Sequence, residues 1–143
     1  VDVLIAGREE AGTLFGIGGT EEEASQLLAE RFALSHVAMP MRQAPSASVN
    51  SWSALLYDGR ACRYSKTYTM ELVDRIGGGD GFAAGLIYGL TTGYDSQRTL
   101  EFAAAAACLK HSVEGDFNVA TLSEVEALAQ SSDGGSDAGR VRR

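Results

Sequence analysis

The chain has 143 residues, 45% of them hydrophobic and 22% charged, which suits one soluble domain with a packed core and argues against overall disorder. Its net charge of −7, with twelve Lys and Arg against nineteen Asp and Glu, argues against a general nucleic-acid surface, since phosphate backbones are held by clustered cations. No apolar run reaches membrane-spanning length, and Cys62 and Cys108 stand apart with no histidine at ligand spacing, so no membrane partner, disulfide framework or zinc site is expected and the compartment indicated is the cytoplasm.

Residues 1–6 are apolar and rich in β-branched side chains, which predicts a buried strand; with no initiator Met before it, the expectation is a chain that starts inside a larger protein. The run EEAGTLFG follows as a short helix closing at Gly16. Thr20 with Glu23 three residues on forms a capping box for the next helix, in which Ala24, Leu27, Leu28 and Phe32 recur at helical spacing and mark a core-facing stripe. SHVAMP reads as a strand, after which Pro40 and Pro45 bracket an irregular piece. WSALLYDGRACRYSKTY then gives two extended runs joined by Asp58-Gly59, a strong hairpin signal.

Residues 82–90 should form a helix ending near Gly93, and Ser96 can cap another that runs to about Lys110. The five alanines at 103–107 in that second helix leave room for close approach, either by a neighbouring element or by a ligand. Thr121 and Ser123 each have a Glu three residues on, so either can cap a last short helix. Alternating strands and helices imply an α/β domain over residues 1–130 with a mostly parallel sheet flanked by helices plus a β-hairpin; residues 131–143 read as a flexible polar tail.

The stretch DRIGGGDGFAAG, residues 74–85, carries the chemistry. The first backbone N–H groups of a helix have no intrahelical partners, and glycines there remove the Cβ atoms that would keep a phosphate away. An anion hole of this kind needs no net positive charge. Asp80 would repel a phosphate that was only bound, but it makes sense as a base taking the proton of an attacking hydroxyl. The alternative is that Asp80 only favours the helix N-terminus. There is no G-x-x-x-x-G-K-[ST] motif; G-x-G-x-x-A is satisfied at 79–84, with Glu101 about twenty residues on, but Glu101 falls inside a helix where a dinucleotide fold wants a strand end.

Position by position, residues 74–85 resemble the second signature of the ribokinase/PfkB carbohydrate kinase family. DRIGGGD together with SVNSWSALLYDG and LKHSVEGDFN is similar to its 2-keto-3-deoxygluconate kinase subgroup. The resemblance spans nearly the whole chain and implies the C-terminal, nucleotide-binding half of a ribokinase-like fold. It implies a kinase using ATP and Mg²⁺ to make the 6-phosphate of 2-keto-3-deoxygluconate, or of another sugar if the chain is a fructokinase or ribokinase. It further implies Asp80 as catalytic base and Gly77, Gly78 and Gly79 as the anion hole. The nucleotide would lie near Ala104, Ala107, Lys110 and Asn118. Glu10 takes the place of a family Glu that organises Mg-bound water, although Gly7 stands where the family has Asn. Arg75 replaces a small residue; it either steers an anionic substrate or pairs structurally with a carboxylate. The missing half would hold most sugar contacts, so the isolated chain is expected to be inactive; a non-catalytic binding or homo-oligomerising fragment is the competing expectation.

Overall fold

A computed structural model describes residues 1–43 and 49–131 of the chain. Pro45 and residues 132–143 of the predicted tail lie outside the described residues. In chain order the elements are β1 (Val3–Ile5), α1 (Arg8–Phe15), α2 (Glu21–Phe32), β2 (His36–Gln43), β3 (Val49–Tyr57), β4 (Cys62–Tyr64), β5 (Tyr68–Glu71), α3 (Gly78–Thr92), α4 (Ser96–His111) and α5 (Leu122–Gln130). None of the described helices is long and apolar enough to cross a membrane.

The expected α/β open sheet is present, and it is mixed. β1 pairs β2 in parallel, whereas β3 runs antiparallel to β2, β4 and β5. The mostly parallel arrangement is therefore limited here to β1 and β2, because Asp58-Gly59 closes a hairpin and β5 returns along the same side of β3 as β4. Between β4 and β5, Ser65 keeps the ladder going: its N–H donates to the Ala54 carbonyl, and its Oγ accepts the Ala54 N–H at 2.9 Å. β2 also continues through Pro40, opposite Ala54, where an irregular piece was expected. β1 pairs β2 only as far as Ala38, so beyond that point β2 has an edge that tolerates a residue without an N–H.

Side chains alternate between two cores, as a pleated sheet requires. Val37, Met39 and Leu55 pack with Ala11, Ala24 and Leu28 of α1 and α2 on one face. Ala38, Trp52, Ala54, Leu56, Tyr68 and Met70 pack against α3, α4 and α5 on the other. Thr20 forms the predicted capping box with Glu23, but α2 buries the narrow strip Ala24, Ser25, Leu28 and Ala29. Leu27 and Phe32 of the predicted stripe are exposed, Phe32 lying edge-on against Phe15 with ring centroids 5.3 Å apart. Asp95, one residue before the predicted cap, accepts the Arg98 N–H at 2.8 Å and caps α4. Thr121, rather than Ser123, caps α5 in a full capping box.

The alanine run explains how α3 and α4 approach. A Cβ on Gly85 would lie 2.8 Å from Ala103 Cα, and one on Gly89 would lie 2.8 Å from the Thr99 side chain. Residues 103–107 are all buried. Small side chains here serve helix-to-helix contact.

Candidate active site

α3 begins where the chain turns in an αL residue, Gly77 at φ 78°, and no side chain caps it. Its first intrahelical bond is from the Gly81 N–H to the Gly77 carbonyl at 2.8 Å. The amides of Gly78, Gly79 and Asp80 are thus left unused by the helix. Gly79 and Asp80 are exposed, whereas Gly78 is buried.

The glycines are not equivalent. A Cβ on Gly77 would lie 2.9 Å from both the Asp116 carbonyl oxygen and Lys110 Cε; one on Gly78 would overlap the His111 ring and come within 2.6 Å of its Nε2. A Cβ on Gly81 would lie 3.3 Å from Lys110 Cβ. At Gly79 nothing lies within 4 Å. Gly79 is therefore the position where the helix start is bare toward open space, and Asp80 follows it directly. Lys110 and His111 fill the space behind.

The preceding loop is locked from below. Asp74 accepts the Ile76 N–H at 3.1 Å on one carboxylate oxygen and the Gly115 N–H at 2.9 Å on the other. These amides, with smaller help from Arg75 N–H and the Lys110 charge, hold its carboxyl below the usual carboxylate range. The Val73 and Asp74 amides both donate to the His111 carbonyl. Lys110 is buried, and its Nζ donates to the carbonyls of Val113 at 3.3 Å and Gly115 at 2.6 Å.

His111 is buried beside Trp52, with ring centroids 5.4 Å apart. Its Nδ1 donates to the Ala107 carbonyl at 2.8 Å, which leaves the lone pair on Nε2, an atom with no hydrogen-bond partner among the described residues. Desolvation first, and then the charges of Arg42, Lys110 and Arg75, keep the imidazole pKa below its ordinary value. Asn50 and Trp52 on β3 are also buried, and Asn50 Nδ2, Asn50 Oδ1 and Trp52 Nε1 have no hydrogen-bond partner among the described residues.

The structure thus brings together Asp80, Gly77, Gly78, Gly79 and Lys110 of the predicted set. Arg75 is exposed just before the turn. Asn118 is exposed in the loop after α4, where its Oδ1 accepts the Ala120 N–H at 3.0 Å. Ala104 and Ala107 are fully buried because α4 lies between α3, α5 and the sheet, so neither offers a ligand surface in this chain. Glu10 is exposed on α1, which packs on the opposite sheet face, with its carboxylate folded toward Gly7; no hydrogen bond or ion pair among the described residues joins it to the α3 site. No group of three or more His, Cys, Asp or Glu among the described residues is placed to hold a metal. Glu101 is indeed inside a helix, and its carboxylate accepts from the buried Tyr68 hydroxyl at 2.7 Å and from the Lys66 N–H at 3.0 Å, far from dinucleotide chemistry. His111 and Trp52, which no sequence motif joins, come from separate elements, and only the packed fold puts them behind one helix start.

Residues 1–122 match the family model described as pfkB family carbohydrate kinase. The chain belongs to this family. Among solved structures of pfkB-type kinases, 2-dehydro-3-deoxygluconokinase of Thermotoga maritima is 39% identical with a TM-score of 0.86, over 92% of this chain and 42% of that one. Among curated proteins, 2-dehydro-3-deoxygalactonokinase of Haloferax volcanii is 28% identical over 96% of this chain and 41% of its own length. 5-dehydro-2-deoxygluconokinase of Clostridium tetani is 30% identical over 76% of this chain and 31% of its own length. The chain therefore spans well under half of the pfkB proteins it matches, and its mixed sheet and flanking helices are the ribokinase-like fold over that part.

Proposed function

We propose that this chain carries the phosphoryl-transfer site of an ATP-dependent sugar-acid kinase whose substrate is 2-keto-3-deoxygluconate, phosphorylated at its 6-hydroxyl. The observation that carries this reading is the pairing of an exposed carboxylate, Asp80, with an uncapped helix start that is bare at Gly79. The substrate class is supported by the names of the similar proteins, each a kinase of a dehydro-deoxy glucono or galactono compound.

In this reading the sugar hydroxyl gives its proton to the Asp80 carboxylate as its oxygen bonds to the γ-phosphorus, and the bond from that phosphorus to the bridging oxygen of ADP breaks. The amides of Gly78, Gly79 and Asp80 accept the negative charge on the transferring phosphoryl oxygens. The bridging Gly77 supplies the αL turn that aims them. Asn118 and the 113–118 loop, which abut this helix start through Lys110 and Asp116, are assigned to the nucleotide side.

Mg²⁺ keeps several waters and is usually held by substrate phosphates with one or two carboxylates, so the absence of a multidentate acidic cluster among the described residues fits it. When bound it would neutralise phosphate charge; Glu10, on the opposite sheet face with its carboxylate turned toward Gly7, is not placed to hold it in this chain.

The test is phosphorylation of 2-keto-3-deoxygluconate by the complete polypeptide encoded with this chain, against Asp80→Asn. Loss of a general base is expected to lower kcat by about 10²–10⁴-fold without unfolding, since Asp80 is exposed. A wild type that transfers no phosphate, or an Asp80→Asn variant as fast as wild type, overturns the reading.

A further inference from the structure

Lys110 is a buried cation whose placement packing alone does not require. Its stem lies along the first turn of α3, with Cβ against Gly81 and Cε against Gly77, so its head group emerges just behind the αL turn. A methionine would fill that channel as well. Taking an ammonium out of water costs several kcal/mol unless it is well paired. Here its acceptors are two neutral carbonyls, those of Val113 and Gly115, and no carboxylate among the described residues forms an ion pair with it. Its ammonium is therefore held by neutral acceptors rather than by an ion pair. The Asp74 carboxylate already feels that field from the other side of the loop.

The neighbouring His111 bears on which group supplies that charge. The buried His111 ring lies directly against Gly78 with its Nδ1–H given to the Ala107 carbonyl and the lone pair on Nε2, so it brings no positive charge there and leaves Lys110 as the buried cation. The same helix start also has acidic neighbours, Asp80 in its first turn, Asp116 against Gly77 and Asp74 on the Gly115 N–H. Lys110 is the cation that the packing itself sets directly behind that first turn, where its field favours an anion on the open side.

We propose that Lys110 is a positioning residue for the phosphate donor: anchored on the Val113 and Gly115 carbonyls, it holds the 113–116 turn against Gly77 and sets a buried positive charge, held by neutral acceptors, behind the amides of Gly78, Gly79 and Asp80, without touching the ligand. The inference rests on the kinase reading above and replaces direct nucleotide contact by Lys110 with an action through the helix start.

The experiment compares ATP and adenosine affinity by calorimetry in the complete polypeptide, for wild type, Lys110→Met and Lys110→Arg. Lys110→Met keeps the stem and removes the charge together with the two carbonyl bonds; it is expected to weaken ATP binding at least tenfold more than adenosine binding, and Lys110→Arg to regain most of that difference. Equal losses for ATP and adenosine would show a merely structural strap and overturn the proposal, as would unchanged ATP affinity in folded Lys110→Met. If Lys110→Met does not fold, Lys110→Gln, neutral but able to donate to a carbonyl, is held to the same two criteria. A wild type that binds no ATP removes the kinase reading itself, whereas a competent wild type matched by its neutral variants removes only the role of Lys110.

Discussion

Gly77, Gly78 and Gly81 are small because Lys110, His111 and Asp116 occupy the space a Cβ would need, whereas Gly79 faces no protein atom within 4 Å. The difference separates folding from function within one motif. Gly79→Ala gains helix propensity, worth up to about 1 kcal/mol, and meets nothing in the protein. It should leave the melting temperature unchanged or raised, yet, in the complete polypeptide, lower kcat/KM for ATP if the phosphoryl group approaches Gly79 as proposed. Gly78→Ala drives its Cβ into the buried imidazole and should cost roughly 1–3 kcal/mol of stability. Thermal unfolding alongside steady-state kinetics checks both; a Gly79→Ala variant that loses stability and keeps full activity contradicts the assignment. The uncapped helix start at the glycine run, with Asp80 in its first turn, was legible because its backbone geometry is local. The distinct tasks of the glycines were not, because what fills the space behind them arrives from α4.

At the scale of elements, the pairing of α3 with α4 decides where Asp80 points. Gly81, Gly85 and Gly89 lie one turn apart on α3 and face Ala106, Ala103 and Thr99 of α4. Gly85→Ala would put a Cβ 2.8 Å from the Ala103 Cα, a backbone atom that yields only if the helices separate. Overpacking of this kind costs about 1–3 kcal/mol, more than the ~1 kcal/mol gained by replacing glycine in a helix. Gly12→Ala in α1 supplies the control: its Cβ would have only ordinary contacts at 3.9 Å and beyond, so it should stabilise. Urea unfolding midpoints that move in opposite directions for these two substitutions are expected; the same direction in both refutes tight α3–α4 contact. The alanine run announced close packing but left ligand and helix as alternatives, and the glycine spacing on the facing helix resolves it. Capping boxes at Thr20 and Thr121 were readable from residues three apart, while the passage of β2 through Pro40 depends on how far β1 extends, which no local window contains.

Across the whole molecule the sheet separates two cores, and the candidate site belongs to one of them. Leu28 is fully buried with α1, α2, Val37, Met39 and Leu55, on the face away from α3. Phe82 is equally buried, but it lies two residues after Asp80 and packs on Trp52, with centroids 6.1 Å apart; Trp52 in turn packs on His111. Leu28→Ala should cost about 2–5 kcal/mol and Phe82→Ala about 3–5 kcal/mol, so stability alone does not tell them apart. Kinetics should. With Leu28→Ala, the folded fraction, measured by active-site titration or circular dichroism, is expected to retain wild-type kcat and KM. With Phe82→Ala the floor beneath the first turn of α3 is lost, the Asp80 carboxylate and the adjacent amides shift together, and kcat per folded molecule should fall at least tenfold, since misplacement on the ångström scale is costly in positioned catalysis. Equal kinetic damage from both substitutions would mean that the sheet does not isolate the two cores and that the geometry of the helix start depends on the molecule as a unit.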